Sequence, residues 1–126
     1  MNEIKLKASK QVRGFIKLPG SKSITNRVLL MAALGSGVTK LIDPLRSEDT
    51  DQMINALIKL GVSVKEVNDD KNIIEIKGTE HNFPNKNTNL FLGNSGTTFR
   101  PLAAVLAMMV KDLPFSQRAK ALKYGI

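Results

Sequence analysis

Two short stretches of this chain carry side chains whose types and spacing can do chemistry. The first is Leu18-Pro19-Gly20-Ser21-Lys22-Ser23-Ile24-Thr25-Asn26-Arg27. A Pro-Gly turn runs directly into an apolar run, so the cations and hydroxyls fall at a helix start. In a helix beginning near Ser21, Lys22 and Asn26 stand four residues apart, as do Ser23 and Arg27, and all four lie on adjoining stripes of its opening turns. Unpaired backbone N–H groups emerge from the same end, and the helix dipole adds to them. Lysine offers a mobile point charge, arginine a planar fork and serine a neutral donor. The set suits a phosphate or a carboxylate. A plainer reading stays open on pattern alone, in which Ser21 and Ser23 only cap the helix and Lys22 and Arg27 are solvated.

The second stretch, Leu92-Gly93-Asn94-Ser95-Gly96-Thr97-Thr98-Phe99-Arg100-Pro101, repeats this logic. Gly93 and Gly96 let backbone approach a ligand, Asn94, Ser95, Thr97 and Thr98 offer short polar groups, and Arg100 adds a cation. The plainer alternative is an ordinary capped strand-to-helix connection. Two such turns in one small chain favour a shared anion site over either turn alone. Neither is a Walker A loop, since no glycine stands at the required place upstream of Gly20, and Gly35-Ser36-Gly37 has no third glycine to complete a dinucleotide fingerprint.

Other candidates read as structural. His81, the only histidine, sits in a polar loop and is expected to be solvated. Met31, Met53, Met108 and Met109 lie in helical apolar runs and are expected in the core, and Glu48, Asp49 and Asp51 read as helix-start acids. With no cysteine and one histidine, thiolate and multi-histidine metal sites are excluded, and no metal or cofactor is expected. No carboxylate pair and no nucleophile beside a base is seen, so no catalytic residue is assigned.

The elements that must position the two turns follow from periodicity. Residues 3–8 alternate as a half-buried strand, and residues 14–18 form a second strand ended by Pro19-Gly20. The first helix holds the apolar run 28–34, which covers its whole circumference and predicts burial on all sides, with Gly35 in a left-handed position past its end. A strand over 39–42 closes at Asp43-Pro44, and a second helix starts after Ser47 with apolar Met53, Ile54, Leu57, Ile58 and Leu60, stopping at Gly61. Residues 62–64 and 73–77 read as a hairpin, 79–89 as a loop and 90–92 as a short strand. A third helix runs to residue 109, with Pro101 placed near its first turn or kinking it. The fold class is therefore α/β, and residues 14–78 read as strand-helix-strand-helix-strand-strand.

Net charge is +8 and unevenly spread. Residues 1–47 hold nine Lys/Arg and two acids, residues 48–110 six and eight, and residues 111–126 four and one. The basic first third fits a small anionic ligand better than nucleic acid, because Phe15 is its only aromatic. No secretory leader is read at the N-terminus, the longest apolar run is far below the ~20 residues of a membrane span, and cysteine-free usage fits the cytoplasm.

At these residues the chain resembles a known family. Leu18-Pro19-Gly20-Ser21-Lys22-Ser23 followed by Asn26-Arg27, then Asp49-Thr50-Asp51 ahead of Met53-Ile54-Asn55-Ala56-Leu57 and Leu60-Gly61, then Leu92-Gly93-Asn94-Ser95-Gly96-Thr97 with Arg100-Pro101-Leu102, resemble the 5-enolpyruvylshikimate-3-phosphate synthases. These are also called 3-phosphoshikimate 1-carboxyvinyltransferases. The resemblance covers residues 1–109. It implies two domains built from copies of the strand-helix-strand-helix-strand-strand unit, with residues 1–13 a strand of the other domain's sheet, 14–78 one unit and 79–109 the start of the next.

The resemblance also implies an activity, the transfer of the enolpyruvyl group of phosphoenolpyruvate to the 5-hydroxyl of shikimate 3-phosphate, with release of phosphate. This step lies on the shikimate pathway to chorismate and the aromatic amino acids. Lys22 would contact both substrates, Ser23 and Arg27 would hold shikimate 3-phosphate, and Asn94 and Gly96 would line the phosphoenolpyruvate side. Thr97 and Pro101 would support that loop, where changes alter the fit of a mimic such as glyphosate. No cofactor, metal, nucleic acid or membrane is implied, and the full-length family is usually monomeric.

The departures from the family pattern are equally definite. Residues 110–126 do not match the Arg-Pro segment expected there and read as a foreign basic ending, as a frameshift, early stop or truncation gives. The second domain and its acid-base groups are absent, so the fragment alone is expected to be inactive. The alternatives from other classes are an anion-binding fragment that holds shikimate 3-phosphate without catalysis, a basic nucleic-acid-binding module, and a partly folded product with no function.

Overall fold

A Ser47-Thr50 capping box sets the most sharply defined start in the chain. Ser47 N donates to Thr50 Oγ1 at 2.8 Å while Thr50 N donates to Ser47 Oγ at 3.4 Å, so each residue satisfies the other's orphan donor. The computed structural model describes residues 3–68 and 72–109. Its elements are α1 (Lys22–Leu34), β1 (Val38–Ile42), α2 (Glu48–Lys59), β2 (Ser63–Asn68), β3 (Asn72–Lys77) and α3 (Gly96–Met109).

The strands form an antiparallel sheet in the order β1-β3-β2. Alternation assigns its faces. Leu41 pairs with Ile74, and Val64 with Ile76, on the side that meets the helices. On the other side Lys40 pairs with Glu75, their charged ends 3.8 Å apart. α1 packs on β3 and α2 on β2, and the three helices pack on one another. Leu29, Ala33, Met53, Leu57, Ile74, Ile76, Phe83 and Leu102 form the fully buried centre.

The loop after β3 closes two helix ends at once. Thr79, Glu80 and His81 donate backbone N–H bonds to Ala33, Gly35 and Leu34 oxygens around the end of α1, each at 2.9 Å. Further on, Asn85 N and Nδ2 donate to Leu60 and Lys59 oxygens at the end of α2, at 2.9 and 2.8 Å. These carbonyls have no partner within their own helices. Phe83, buried between the two attachments, anchors the loop.

Several expectations need correction. Residues 3–8 and 14–18 form no strand. They find no ladder partner among the described residues, and Ile4, Leu6, Phe15 and Ile16 are exposed. Residues 90–92 also lack a ladder, although Leu90 and Leu92 still turn inward. α1 is not buried on all sides, since only its sheet- and helix-facing stripe is covered and Met31 is 70% exposed. Met108 is 67% exposed for the same reason, and Met53 is the fully buried methionine of the four. Gly35 is extended (φ −69°, ψ −171°), because the incoming 79–81 segment caps α1 and no left-handed turn is needed. Pro101 lies inside α3, past its first turn, where it removes the N–H that Thr97 oxygen would accept. His81 is exposed, as expected. The basic segment 110–126 lies outside the described residues.

Gly78 supplies a test of this packing. Its N–H donates to Gly37 oxygen at 2.8 Å, and a Cβ there would sit on the Gly35 carbonyl. Gly78→Ala must push β3 away from the end of α1. The expected loss is about 1–3 kcal/mol, read as a lower urea midpoint with an unchanged slope.

Candidate functional site

Both chemistry-bearing turns become helix N-termini, and packing brings those termini together. Ser21 is the N-cap of α1, its Oγ accepting from Ile24 N at 3.4 Å. Gly20 is required just before it, because a Cβ there would meet Leu45 N at 2.8 Å. The following loop is tied down as well, since Leu45 N donates to Thr25 Oγ1 at 3.2 Å. At α3, Ser95 plays the capping role, its oxygen and Oγ accepting from Thr98 N at 3.2 Å each.

A buried hydrogen-bonded knot joins the termini. Asn26, 0% exposed, donates from Nδ2 to Thr97 Oγ1 at 3.0 Å and to Thr98 Oγ1 at 3.2 Å. Ser95 Oγ donates to Thr98 Oγ1 at 2.7 Å, and Thr98 Oγ1 donates to the main-chain oxygen of Asp49 at 3.0 Å. The Ser95 and Thr98 hydroxyls each accept and donate. Asn26 Oδ1 is buried without a partner among the described residues. Asn26 is thus turned away from the stripe on which its spacing placed it and works inside the protein.

The surface above the knot is an open cleft of about 470 Å³. Lys22, Ser23 and Arg27 line it from α1, and Asn94, Gly96, Thr97 and Pro101 line it from the second turn, so all seven residues singled out from the sequence meet there. Asp49 and Arg100 complete it. First-turn residues of α1, α2 and α3 therefore face one space: Lys22 and Ser23, Asp49, and Gly96 and Thr97. Helix N-termini carry partial positive charge, and three of them beside three cationic side chains make a strongly anion-attracting surface. A Cβ at Gly96 would meet nothing within 4 Å, so the backbone there is open to a ligand.

Asp49 is the residue that sequence reasoning missed. Its carboxylate lies 2.7 Å from Lys22 Nζ, in a half-exposed pair of a kind worth about 0.2–1 kcal/mol. The signal for it was a surplus of acids. Ser47 already caps α2, yet Glu48, Asp49 and Asp51 crowd its first turn. Asp51 pairs with Arg46 at 2.9 Å, which leaves Asp49 for the cleft. Among the described residues Arg27 and Arg100 have no carboxylate partner, and no group of His, Asp and Glu side chains is arranged to hold a metal. No described helix is long and apolar enough to cross a membrane.

Fold and cleft together define an α/β protein with three helix N-termini facing one cleft lined by Lys22, Arg27 and Arg100. Comparison with known proteins agrees. The family model for EPSP synthase (3-phosphoshikimate 1-carboxyvinyltransferase) matches residues 6–116. The chain is 50% identical over 107 residues to a 3-phosphoshikimate 1-carboxyvinyltransferase of Cellvibrio japonicus, covering 85% of this chain and 24% of the relative. It is 54% identical over 99 residues to the enzyme of the same name from Ralstonia pickettii, covering 79% and 22%. A solved EPSP synthase from Acinetobacter baumannii superposes with a TM-score of 0.66 at 26% identity, covering 85% of this chain and 26% of that one. The chain belongs to the EPSP synthase family, and it spans about a quarter of the length of the curated relatives it matches.

Thr98→Val probes the knot with little change of shape. It removes the bonds that Thr98 Oγ1 accepts from Asn26 Nδ2 and Ser95 Oγ and the one it donates to the Asp49 carbonyl. The expected cost is about 1–3 kcal/mol, measured as the shift in urea midpoint.

Proposed function

We propose that this chain forms one wall of the two-substrate cleft of 3-phosphoshikimate 1-carboxyvinyltransferase. The full-length enzyme would transfer the enolpyruvyl group of phosphoenolpyruvate to the 5-hydroxyl of shikimate 3-phosphate, giving 5-enolpyruvylshikimate 3-phosphate and phosphate. The observation that carries this reading is the convergence of Lys22, Ser23 and Arg27 with Asn94, Gly96, Thr97 and Pro101 on one cleft, in a chain of this family.

In this reading protonation of the phosphoenolpyruvate methylene makes the adjacent carbon cation-like. The sugar-acid hydroxyl adds to that carbon and gives up its proton. Loss of phosphate and of a proton from the new methyl then restores the double bond. Both substrates are anions, so the contribution of this chain is charge and position. Lys22 lies between the two substrates, Ser23 and Arg27 hold the phosphate of shikimate 3-phosphate, and Asn94 and Gly96 line the phosphoenolpyruvate side. Thr97 and Pro101 support that loop. The bond from Asn26 to Thr97 Oγ1 favours a supporting role, because that hydroxyl is already engaged within the protein.

The domain reading follows the same line. Residues 1–13 would pair in the sheet of another domain, and the exposed apolar side chains of residues 3–18 are what such a strand would bury. Residues 14–78 would form one repeat and 79–109 the start of the next. The pathway reading carries a cytoplasmic location and a monomeric full-length enzyme with it. The 126 residues alone are proposed to bind without turning over, since the one carboxylate that lines the cleft among the described residues is already paired with Lys22.

Calorimetric titration with shikimate 3-phosphate tests the site. Arg27→Ala removes a charged donor worth about 1.5–3 kcal/mol, so binding should weaken by about 10- to 100-fold. Binding that ignores Arg27 contradicts the assignment. An inorganic-phosphate release assay with both substrates should show no turnover by the 126-residue chain, and turnover would contradict the binding-only reading.

A further inference from the structure

Among the described residues Asp49 is the only acidic side chain lining the cleft, and it pairs with the lysine that the proposed function places between two anions. We propose that Asp49 is a specificity-determining residue of this site. It acts as an internal carboxylate that occupies Lys22 in the ligand-free cleft, so that an incoming anion reaches Lys22 only by displacing it. The inference rests on the reading of the cleft as an anion site and deepens it.

The geometry assigns the fixed and the moving partner. Asp49 belongs to the first turn of α2, whose start is set by the Ser47-Thr50 capping box, and its own main-chain oxygen accepts from Thr98 Oγ1. Its side chain is 24% exposed against 48% for Lys22. The carboxylate is therefore held at the cleft wall, while the lysine, on a flexible four-carbon stem, is free to swing between it and a ligand. The neighbouring acids do not substitute for it, since Asp51 is committed to Arg46 and Glu48 does not line the cleft.

The chemical consequence is a charge threshold. A singly charged anion that takes Lys22 from Asp49 exchanges one carboxylate-like contact for another and gains little. A dianionic phosphate that also reaches Arg27 or Arg100 gains contacts for which no internal carboxylate competes, because neither arginine has one among the described residues. Asp49 would thus admit phosphorylated ligands while keeping small monoanions off Lys22.

The test titrates inorganic phosphate and acetate, separately, against the wild-type chain, Asp49→Asn, Lys22→Met and the double variant. Asp49→Asn leaves the main-chain bond from Thr98 intact, and matching circular dichroism and melting curves identify a folded variant. Acetate should bind about two- to fivefold more tightly to Asp49→Asn, the range expected for releasing a half-exposed ion pair, and phosphate, which also reaches an arginine, should gain less, so that the preference for phosphate falls. Both gains should vanish in the Lys22→Met background. Equal or weaker binding by Asp49→Asn overturns the proposal, and so does a gain that persists without Lys22.

A ligand-free arm separates this proposal from the reading beneath it. Acylation of Lys22 by an amine-reactive anhydride, followed by mass spectrometry, should be faster in Asp49→Asn. Unchanged labelling overturns the hold on Lys22 even where phosphate binds normally. Faster labelling with no phosphate binding in any variant overturns the anion-site reading instead.

Discussion

Three helix N-termini repel one another, and the buried bonds from Asn26 to Thr97 and Thr98, with that from Thr98 to the Asp49 oxygen, hold them together. The knot is small: one amide, three hydroxyls and the Asp49 carbonyl. Its position makes it decisive. It lies directly beneath the cleft, so the spacing between the α1 cations and the Gly96 backbone is set by hydrogen-bond lengths and not by loop flexibility. Directional bonds suit this task better than apolar packing, which tolerates sliding. The apolar core around Leu29, Leu57 and Leu102 supplies the bulk of the burial and leaves register to the knot.

The charge arrangement above the knot follows from its constraint. Three positive helix ends and three cationic side chains around one space favour a negative group there. In the chain itself that role falls to Asp49, and in the proposed enzyme it falls to two anionic substrates. Such a surface is costly to build and stays open to solvent, which fits the exposure of Lys22, Arg27, Asn94 and Arg100. At the start of α3 Ser95 satisfies the Thr98 and Phe99 N–H groups, while the Gly96 backbone faces open space.

Much of this was legible in the sequence, and the failures have physical causes. Local signals were read correctly where local bonds decide the outcome: Ser21 and Ser47 as caps, Gly61 past α2 with φ +89°, and the hairpin of β2 and β3. The convergence of Lys22 with Asn94 and Gly96 followed from treating two similar turns as one site. Errors fell where a partner far along the chain decides. Residues 3–8 and 14–18 alternate as strands but have no described ladder to join. Glycine past a helix end predicts a left-handed cap at Gly35, which the distant 79–81 segment makes unnecessary. Asn26 turns inward, and Asp49, a first-turn acid of α2 as expected, also faces the cleft. Spacing alone cannot tell which polar residue of a helix start turns inward, because that depends on what the neighbouring helix brings, here Thr97 and Thr98.

The central claim is that the two turns make one site because the knot joins them. The direct measurement is a phosphate titration of the ¹⁵N-labelled chain followed by amide chemical shifts. Amides of residues 20–27 and 93–100 should move together along a single binding curve with one dissociation constant. Shifts confined to one turn, or two turns titrating with different constants, would contradict the account.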